Sequence, residues 1–212
     1  VDTDKKNEII RSSLLVMPEV TLENSGQEET VERWVDLGLS VLWAAYNVGA
    51  SSPEEYGGYY AWGETEEKKN YDFDSYIFYN SSTGEYDITL EEISGTSYDV
   101  AHVKWGDGAR LPTVEELEEL TINCTFRCDT YNGVPGGYVT GPNGNSIFLP
   151  FAGGYFYGNR DFQGYHGYFW SGTFYDVHIG GNACCLCCDG DYGYWFDSAC
   201  VYGRSVRPVK DK

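Results

Sequence analysis

Basic residues are scarce in this chain of 212 residues. It has 14 Lys and Arg against 33 Asp and Glu, for a formal net charge of −19. Because binding to a phosphate backbone needs clustered Lys and Arg, we do not expect nucleic acid as a partner. Long apolar runs are also missing, and no segment reaches the roughly 18 apolar residues that suggest a transmembrane helix. The acidic residues are unevenly spread, since every Glu lies at or before Glu119.

An apolar signal-peptide core is also absent from the first residues, which read Val-Asp-Thr-Asp-Lys-Lys. We therefore expect a trimmed chain whose targeting segment is missing, which is compatible with a lipid anchor upstream of it. The seven cysteines are odd in number and cannot all pair within one chain. They are a weak guide to the redox compartment.

The first thirty residues differ in composition from the rest. Residues 1–30 are polar and acidic, and "TLENSGQEET" has neither a helical nor a strand period, which predicts an extension or tether. The alternative is a first strand at "SSLLVMPEV". Residues 31–212 carry nearly all of the aromatic residues and glycines and are expected to form one domain.

Two helix starts can be read from capping residues. The first is Ser52 as N-cap with Pro53 next and Glu55 three residues beyond the cap, and Gly57-Gly58 should end that helix early. The second and better start is Thr113 in "RLPTVEELEELTIN", with an apolar stripe after it. The rest predicts strands: two in "WVDLGLSVLWAAYNVGA", a hairpin around residues 82–84, and a hairpin in "GYVTGPNGNSIFLPF" that turns at Asn-Gly.

Several separated motifs occur together in one order. They are "DLGLSVLWAAYNVGASSPEEYGGYYAWGE", "YDVAHVKWGDGARLPTVEELEEL", "NGNSIFLPFAG", "GYFWSG" and "GRSVRPV". Together they resemble the Fibrobacter succinogenes major paralogous domain family over about residues 31–209. That family is related to the formylglycine-generating-enzyme branch of the C-type lectin fold, in which a similar "RLPT" segment opens a helix.

The resemblance implies a fold class and a type of function. The expected fold is α+β and C-type lectin-like, with small twisted antiparallel sheets, two short helices, long loops and terminal strands that lie close together. The expected function is non-catalytic recognition, with no enzyme activity. Since the branch includes structural modules and enzymes, a fixed structural or adhesive surface module and a formylglycine-generating-type enzyme remain as alternatives.

Domains of this branch also serve as the variable proteins of diversity-generating retroelements, which rewrite adenines near the 3′ end of a gene. An AAC codon altered at its adenines can encode Tyr, Cys, Asp or Gly but not Glu, Lys, Gln, Met or Trp. "CCLCC" and "DGDYGYWFDSACVY" consist almost wholly of reachable residue types. Residues 164–209 contain no Glu, Lys, Gln or Met, although 120–162 lack them too. We interpret residues 175–202 as the candidate variable region.

The candidate binding residues share an antibody-like chemistry. Aromatic rings supply contact area at low entropic cost, and short polar side chains supply adaptable hydrogen bonds. Residues 192, 194 and 196 should share one strand face. Trp170 and Trp195 are interpreted as scaffold, and Arg204 and Arg207 as braces of the chain end through carboxylate or carbonyl groups. The full set of candidate ligand-binding residues is Tyr175, Asp176, His178, Cys185, Cys187, Asp189, Asp191, Tyr192, Tyr194, Phe196, Asp197, Ser198, Cys200 and Tyr202.

The cysteine cluster has alternative interpretations. Cys184 and Cys188 should face one side of a strand and Cys185 and Cys187 the other, so four thiolates from one strand cannot complete a zinc tetrahedron. A second pair from residues 124 and 128, a disulfide, and free thiols that pack as small hydrophobes all stay open. Calcium at Asp189 and Asp191 lacks the usual lectin motifs, and His102 is interpreted as structural. We expect no metal and no cofactor.

Partners and location follow from the same resemblance. The expected partner is a protein or glycan on another cell or on a phage surface. The expected location is extracellular or at the cell surface, for instance as an outer-membrane lipoprotein, with a phage particle as the alternative.

Overall fold

Short antiparallel strands form most of this fold. The computed structural model describes residues 32–175 and 181–212, so the predicted tether at 1–30 lies outside the described residues. Strands account for 40% of the described structure and helices for 11%, which is compatible with an α+β or a mainly-β class. The strands are β1 (Trp34–Asp36), β2 (Val41–Ala44), β3 (Tyr79–Asn80), β4 (Glu85–Tyr86), β5 (Thr125–Tyr131), β6 (Val134–Thr140), β7 (Ser146–Pro150), β8 (Gly154–Phe156), β9 (Asn159–Asp161), β10 (His166–Phe174), β11 (Asn182–Asp189), β12 (Tyr192–Ala199) and β13 (Val209–Asp211).

The strands form three small sheets and two isolated hairpins. The sheet orders are β1-β2-β13, β5-β6-β7 and β10-β11-β12, and the hairpins are β3-β4 and β8-β9. Every pairing between these strands is antiparallel. The last strand, β13, pairs with β2, where Val209 lies opposite Trp43. This pairing brings the end of the chain beside the first described strands, as expected.

The predicted turns are confirmed. Residues 141–145 link β6 to β7, and Gly144 has a φ of +88°, which Gly adopts without the penalty that a Cβ brings. The Asn143 amide donates to the Asp36 carbonyl oxygen at 2.8 Å and so fixes this turn to the first sheet. In the β3-β4 hairpin Gly84 has a φ of +74°. Both turns therefore form where their residues predict them.

The stronger of the two predicted helices is present as predicted. Helix α2 (Val114–Asn123) begins with a capping box, in which the Thr113 hydroxyl accepts from the Glu116 N–H and the Glu116 carboxylate accepts from the Thr113 N–H. The predicted apolar stripe is buried at Leu117 and Leu120. A single bidentate partner, Arg110, holds the Glu116 carboxylate at 2.6 and 2.8 Å.

The helix predicted after Ser52 is wrong, because that segment forms only turns. The Glu55 carboxylate accepts from the N–H of Ser51 at 2.7 Å, one residue before the predicted cap, and Gly57 takes a φ of +70°. The second helix is instead α1 (Val100–Trp105). Its cap is the buried Asp99, whose carboxylate accepts four backbone N–H groups. The fold thus has two short α-helices in the described residues, but one differs from the prediction.

The β10-β11-β12 sheet separates two apolar clusters. On one side Phe169 and Leu186 pack with Leu117 and Leu120 of α2. On the other side Trp170 and Cys185 join a cluster of aromatic residues that includes Trp62. Since side chains alternate along a strand, neighbouring residues of β11 enter different clusters. Each fully buried side chain of leucine size contributes about 1.5–3 kcal/mol, so this sheet is central to stability.

The buried Arg207 braces the chain end through backbone oxygens. Its guanidinium donates to the carbonyl oxygens of Ala44 at 3.0 Å and Phe148 at 2.8 Å, and to the Asn47 side-chain oxygen at 2.8 Å. The carbonyl-bonded role predicted for this residue is therefore confirmed. Among the described residues, no helix is long and apolar enough to cross a membrane.

Candidate binding surface

The cysteines of β11 lie in the interior. Strand β11 is the middle strand of its sheet, and both of its faces are covered over residues 183–188. Cys185, Cys187, Cys200 and the nearby Ser198 are all buried. These four candidate ligand-binding residues do not reach the surface, so their inclusion in a contact surface was wrong. Cys185 and Cys187 are buried because β11 has a strand on each edge and covered faces, Ser198 lies against the buried Arg204, and Cys200 packs in the aromatic cluster.

Burial also makes these thiols poor nucleophiles and poor metal ligands. It raises the pKa of Cys184 and of Cys185 to about 12, so both are protonated near neutral pH. Cys185 joins the aromatic cluster and Cys188 joins the cluster beneath α2, as strand alternation predicts. Within residues 32–175 and 181–212, no group of three or more His, Cys, Asp and Glu residues is arranged to hold a metal ion.

Strand β12 is half exposed, in contrast to β11. Tyr192 and Tyr194 are 75% and 49% exposed, and Phe196 is half-buried. In the ladder these three residues lie opposite Asp189, Cys187 and Cys185, so they share one face as predicted. Trp195 points to the other face and packs against the cluster beneath α2, which confirms its scaffold role.

Aromatic residues from other segments extend the exposed face of β12. Phe196 lies 6.1 Å from both Tyr168 and Tyr194, measured between ring centroids. Further ring contacts, with centroids 5.1–6.2 Å apart, link these rings into one continuous surface. We call it the aromatic face, and it consists of Phe156, Tyr157, Phe162, His166, Tyr168, Tyr194, Phe196 and Tyr202.

Five of the eight residues of the aromatic face were not predicted from the sequence. Phe156, Tyr157, Phe162, His166 and Tyr168 precede the candidate variable region, and the first three lie in or beside the β8-β9 hairpin. Tyr157 and Phe162 are 63% and 49% exposed and have positive φ angles of +48° and +62°. The alternation of aromatic residues with Gly and Asn in "GGYFYGNRDFQGYHGYF" was the available signal.

Arg204 lies directly beneath this face. Its guanidinium carbon is 4.4 Å from the Tyr168 ring centroid and 5.0–5.8 Å from those of four more rings. Its Nε and Nη2 atoms donate to the Ser198 hydroxyl. Among the described residues it has no carboxylate partner, so the predicted carboxylate or carbonyl bond is wrong for this side chain. The rings supply the compensating negative potential, which fixes their positions around one cation.

The remaining predicted residues do not all join this face. Tyr175 lies 6.0 Å from the Trp195 ring, and the Asp197 carboxylate accepts from the Asn182 amide at 2.7 Å, both away from the aromatic face. Asp189 lies 3.5 Å from His166 Nδ1 at the rim of the face. Asp191 accepts from the Cys128 N–H at 2.6 Å, so one of its carboxylate oxygens already has a partner. Asp176 and His178 lie outside the described residues.

His102 has an exposed side chain on α1, so the structural role predicted for it is wrong.

In comparisons with protein-family models, curated proteins and solved structures, nothing matches this chain.

Proposed function

We propose that this chain is a non-catalytic recognition protein that binds a protein or glycan on another surface through the aromatic face. The observation that carries this proposal is the continuity of the face. Five separate stretches of the chain contribute rings to it, and its three most exposed rings, those of Tyr157, Phe162 and Tyr194, are each more than 45% open to solvent. Soluble proteins rarely expose a contiguous aromatic surface unless it binds something.

The residues beneath the aromatic face hold its rings in place before a partner binds. Arg204 and Ser198 are buried beneath the rings, and the Arg204 guanidinium donates to the Ser198 hydroxyl. Rings held in this way lose little entropy when a partner binds, which favours affinity. Tyrosine hydroxyls at the outer edge and Asp189 at the rim offer hydrogen bonds to sugar hydroxyls or to peptide groups.

The proposed scaffold is a C-type lectin-like fold related to the Fibrobacter succinogenes major paralogous domain family. The capped helix at Thr113 and the pairing of β13 with β2 support it. We further propose that the protein is displayed outside the cell or at the cell surface, for instance through a lipid anchor, with a phage particle as the alternative.

Diversification by a retroelement is part of the same proposal, but with fewer variable positions than the sequence suggested. The burial of residues 184–188 makes this stretch a poor place for random substitution, whereas Tyr192 and Tyr194 are exposed. We therefore propose that any variable positions are concentrated in β12 and its turn. A face that does not vary between strains would indicate the fixed adhesive module instead.

Catalysis is the less favoured alternative. The cysteines of β11 are buried, and desolvation raises the pKa of Cys184 and of Cys185. A thiol in that state is a weak nucleophile and does not bind copper or zinc without first losing a costly proton.

Binding of labelled protein to a printed glycan array and to an array of bacterial surface proteins tests the proposal. We expect saturable binding by the wild type and a loss of about tenfold or more in the double variant Tyr157→Ser, Tyr194→Ser, because aromatic anchors dominate binding energy. Tyr98→Ser is the matched control, since Tyr98 is an exposed tyrosine that contacts Phe78 outside the face. Equal binding by the double variant and the wild type would contradict the proposal.

A further inference from the structure

Two cysteines from different sheets lie next to each other. Cys128 on β5 is directly opposite Gly137 on β6, so their side-chain positions share one face of that sheet. A Cβ placed on Gly137 would clash with Cys188 Sγ. The Cys188 thiol of β11 therefore occupies the space above Gly137, beside the position from which the Cys128 side chain projects. Glycine leaves this space free of any intervening side chain.

Two further contacts hold these strands in position. Asp191, in the turn between β11 and β12, accepts from the Cys128 N–H at 2.6 Å. The Phe126 ring lies over Gly193, where any Cβ would clash with it, and Gly193 is the ladder partner of Cys188. These two contacts hold the edge strand β5 against the end of the β11-β12 hairpin, close to Cys128 and Cys188.

We propose that Cys128 and Cys188 are an oxidation site at which a disulfide joins the β5-β6-β7 sheet to the β10-β11-β12 sheet. The required oxidant is a small-molecule disulfide of the glutathione class. This site is independent of the proposed binding function, although the bond would fix the hairpin that carries Tyr192 and Tyr194.

The reaction proceeds by two thiol–disulfide exchanges. The Cys128 thiolate attacks one sulfur of the small disulfide, which forms a mixed disulfide and releases one small thiolate. The Cys188 thiolate then attacks Cys128 Sγ, forms the Sγ–Sγ bond and expels the second small thiolate. The two protons lost by the cysteines are taken up by the two released thiolates, and two electrons pass to the oxidant.

Exposure sets the order of these steps. Cys128 is exposed, whereas the other six cysteines are buried. Burial raises the pKa of the Cys188 thiol, so the second exchange is the slower one and should accelerate as the pH rises. Cys185 lies on the other side of the sheet, in the aromatic cluster, and cannot take the place of Cys188.

The test is thiol counting on the full folded chain after equilibration with oxidised glutathione, followed by non-reducing peptide mapping. We expect free thiols to fall from seven to five, a single cross-linked peptide pair containing residues 128 and 188, and an increase in Tm of roughly 5–10 °C that a reductant reverses.

The exposed variant Cys128→Ser should fold and keep all of its remaining thiols, whereas Cys124→Ser, a change at a buried cysteine outside the pair, should still lose two. Retention of all seven thiols in the wild type would overturn the proposal. So would a stable glutathione adduct at Cys128 that never resolves, or a dimer linked through Cys128.

Discussion

Strands β11 and β12 are neighbours with similar composition and opposite environments. Both are built from residue types that suggested one variable binding segment. Strand β11 is the middle strand of its sheet, and its residues 183–188 are buried. Strand β12 is an edge strand, with α2 on one face and solvent on part of the other. The comparison shows that the cysteines of β11 pack in the core, whereas tyrosines of β12 lie on the surface.

The difference follows from where each strand lies in the sheet. A middle strand is covered along both edges by its neighbouring strands. The side chains of β11 are also covered, because an apolar cluster packs on each face of the strand. Small apolar thiols fit between such layers without a polar group to satisfy. An edge strand can leave one face open, and large amphipathic rings suit that position.

The largest difference in stability between variants of β11 and β12 should come from a buried charge. Leu186→Asp places a carboxylate among Leu117, Leu120 and Phe169, and we expect it to lower the free energy of unfolding by about 3–5 kcal/mol. Tyr194→Asp, on the exposed face of β12, should cost less than about 1 kcal/mol. Urea unfolding followed by Trp fluorescence measures both. Similar losses in the two variants would remove the distinction between the strands.

Alkaline pH should act on the β11 cysteines next most strongly. Burial raises the pKa of Cys185 from 9.0 to about 12, so its stabilising contribution is complete below pH 9 and is lost as the pH rises from 9 to 12. Over that interval we expect wild type to lose about 1.4 kcal/mol per pH unit relative to Cys185→Val. Urea unfolding in reducing buffer at several pH values measures this slope. Leu186→Val, which removes no titrating group, is the control and should run parallel to wild type.

Natural variation should also follow exposure. Amplicon sequencing of the 3′ end of the gene across a natural population should find substitutions at Asp191, Tyr192 and Tyr194 several-fold more often than at Cys185 and Leu186, because core positions reject most residue types. Equal variation in both strands would contradict the placement of β11 in the core. A uniform sequence in both would favour the fixed adhesive module.

The smallest effect is expected at the tip of β12. Tyr192 is 75% exposed and makes no ring contact with the described residues, so Tyr192→Ser should change the free energy of unfolding by less than about 0.5 kcal/mol. Trp195→Ser is the variant for comparison. The Trp195 ring is on the opposite face of the same strand and packs beneath α2, so its loss should destabilise the protein more. Urea unfolding of the two variants should give clearly different midpoints.

Local signals predicted local structure well. The capping box at Thr113, the Asn-Gly turn before β7 and the alternation of β12 each depend on residues within a few positions of one another, and all three are present. The helix predicted after Ser52 does not form, because the Glu55 carboxylate accepts from the Ser51 N–H and Gly57 takes a non-helical φ of +70°. Helix α1 was missed because its cap, Asp99, also binds Gly95 and Leu111 in a loop that no short motif describes.

The acidic charge, the strand-rich class, the turns and the face that each residue of β11 and β12 takes could all be predicted from the amino-acid sequence, since they depend on composition and on the period of a strand. Which of those faces meets solvent is set by tertiary packing, because it depends on what distant segments cover. The hairpin at Phe156 and Tyr157 came to lie beside Tyr202, Arg204 came to lie beneath Phe156 and Tyr168, and Cys188 came to lie above Gly137. Each contact joins residues far apart in the chain, and no local pattern encodes it.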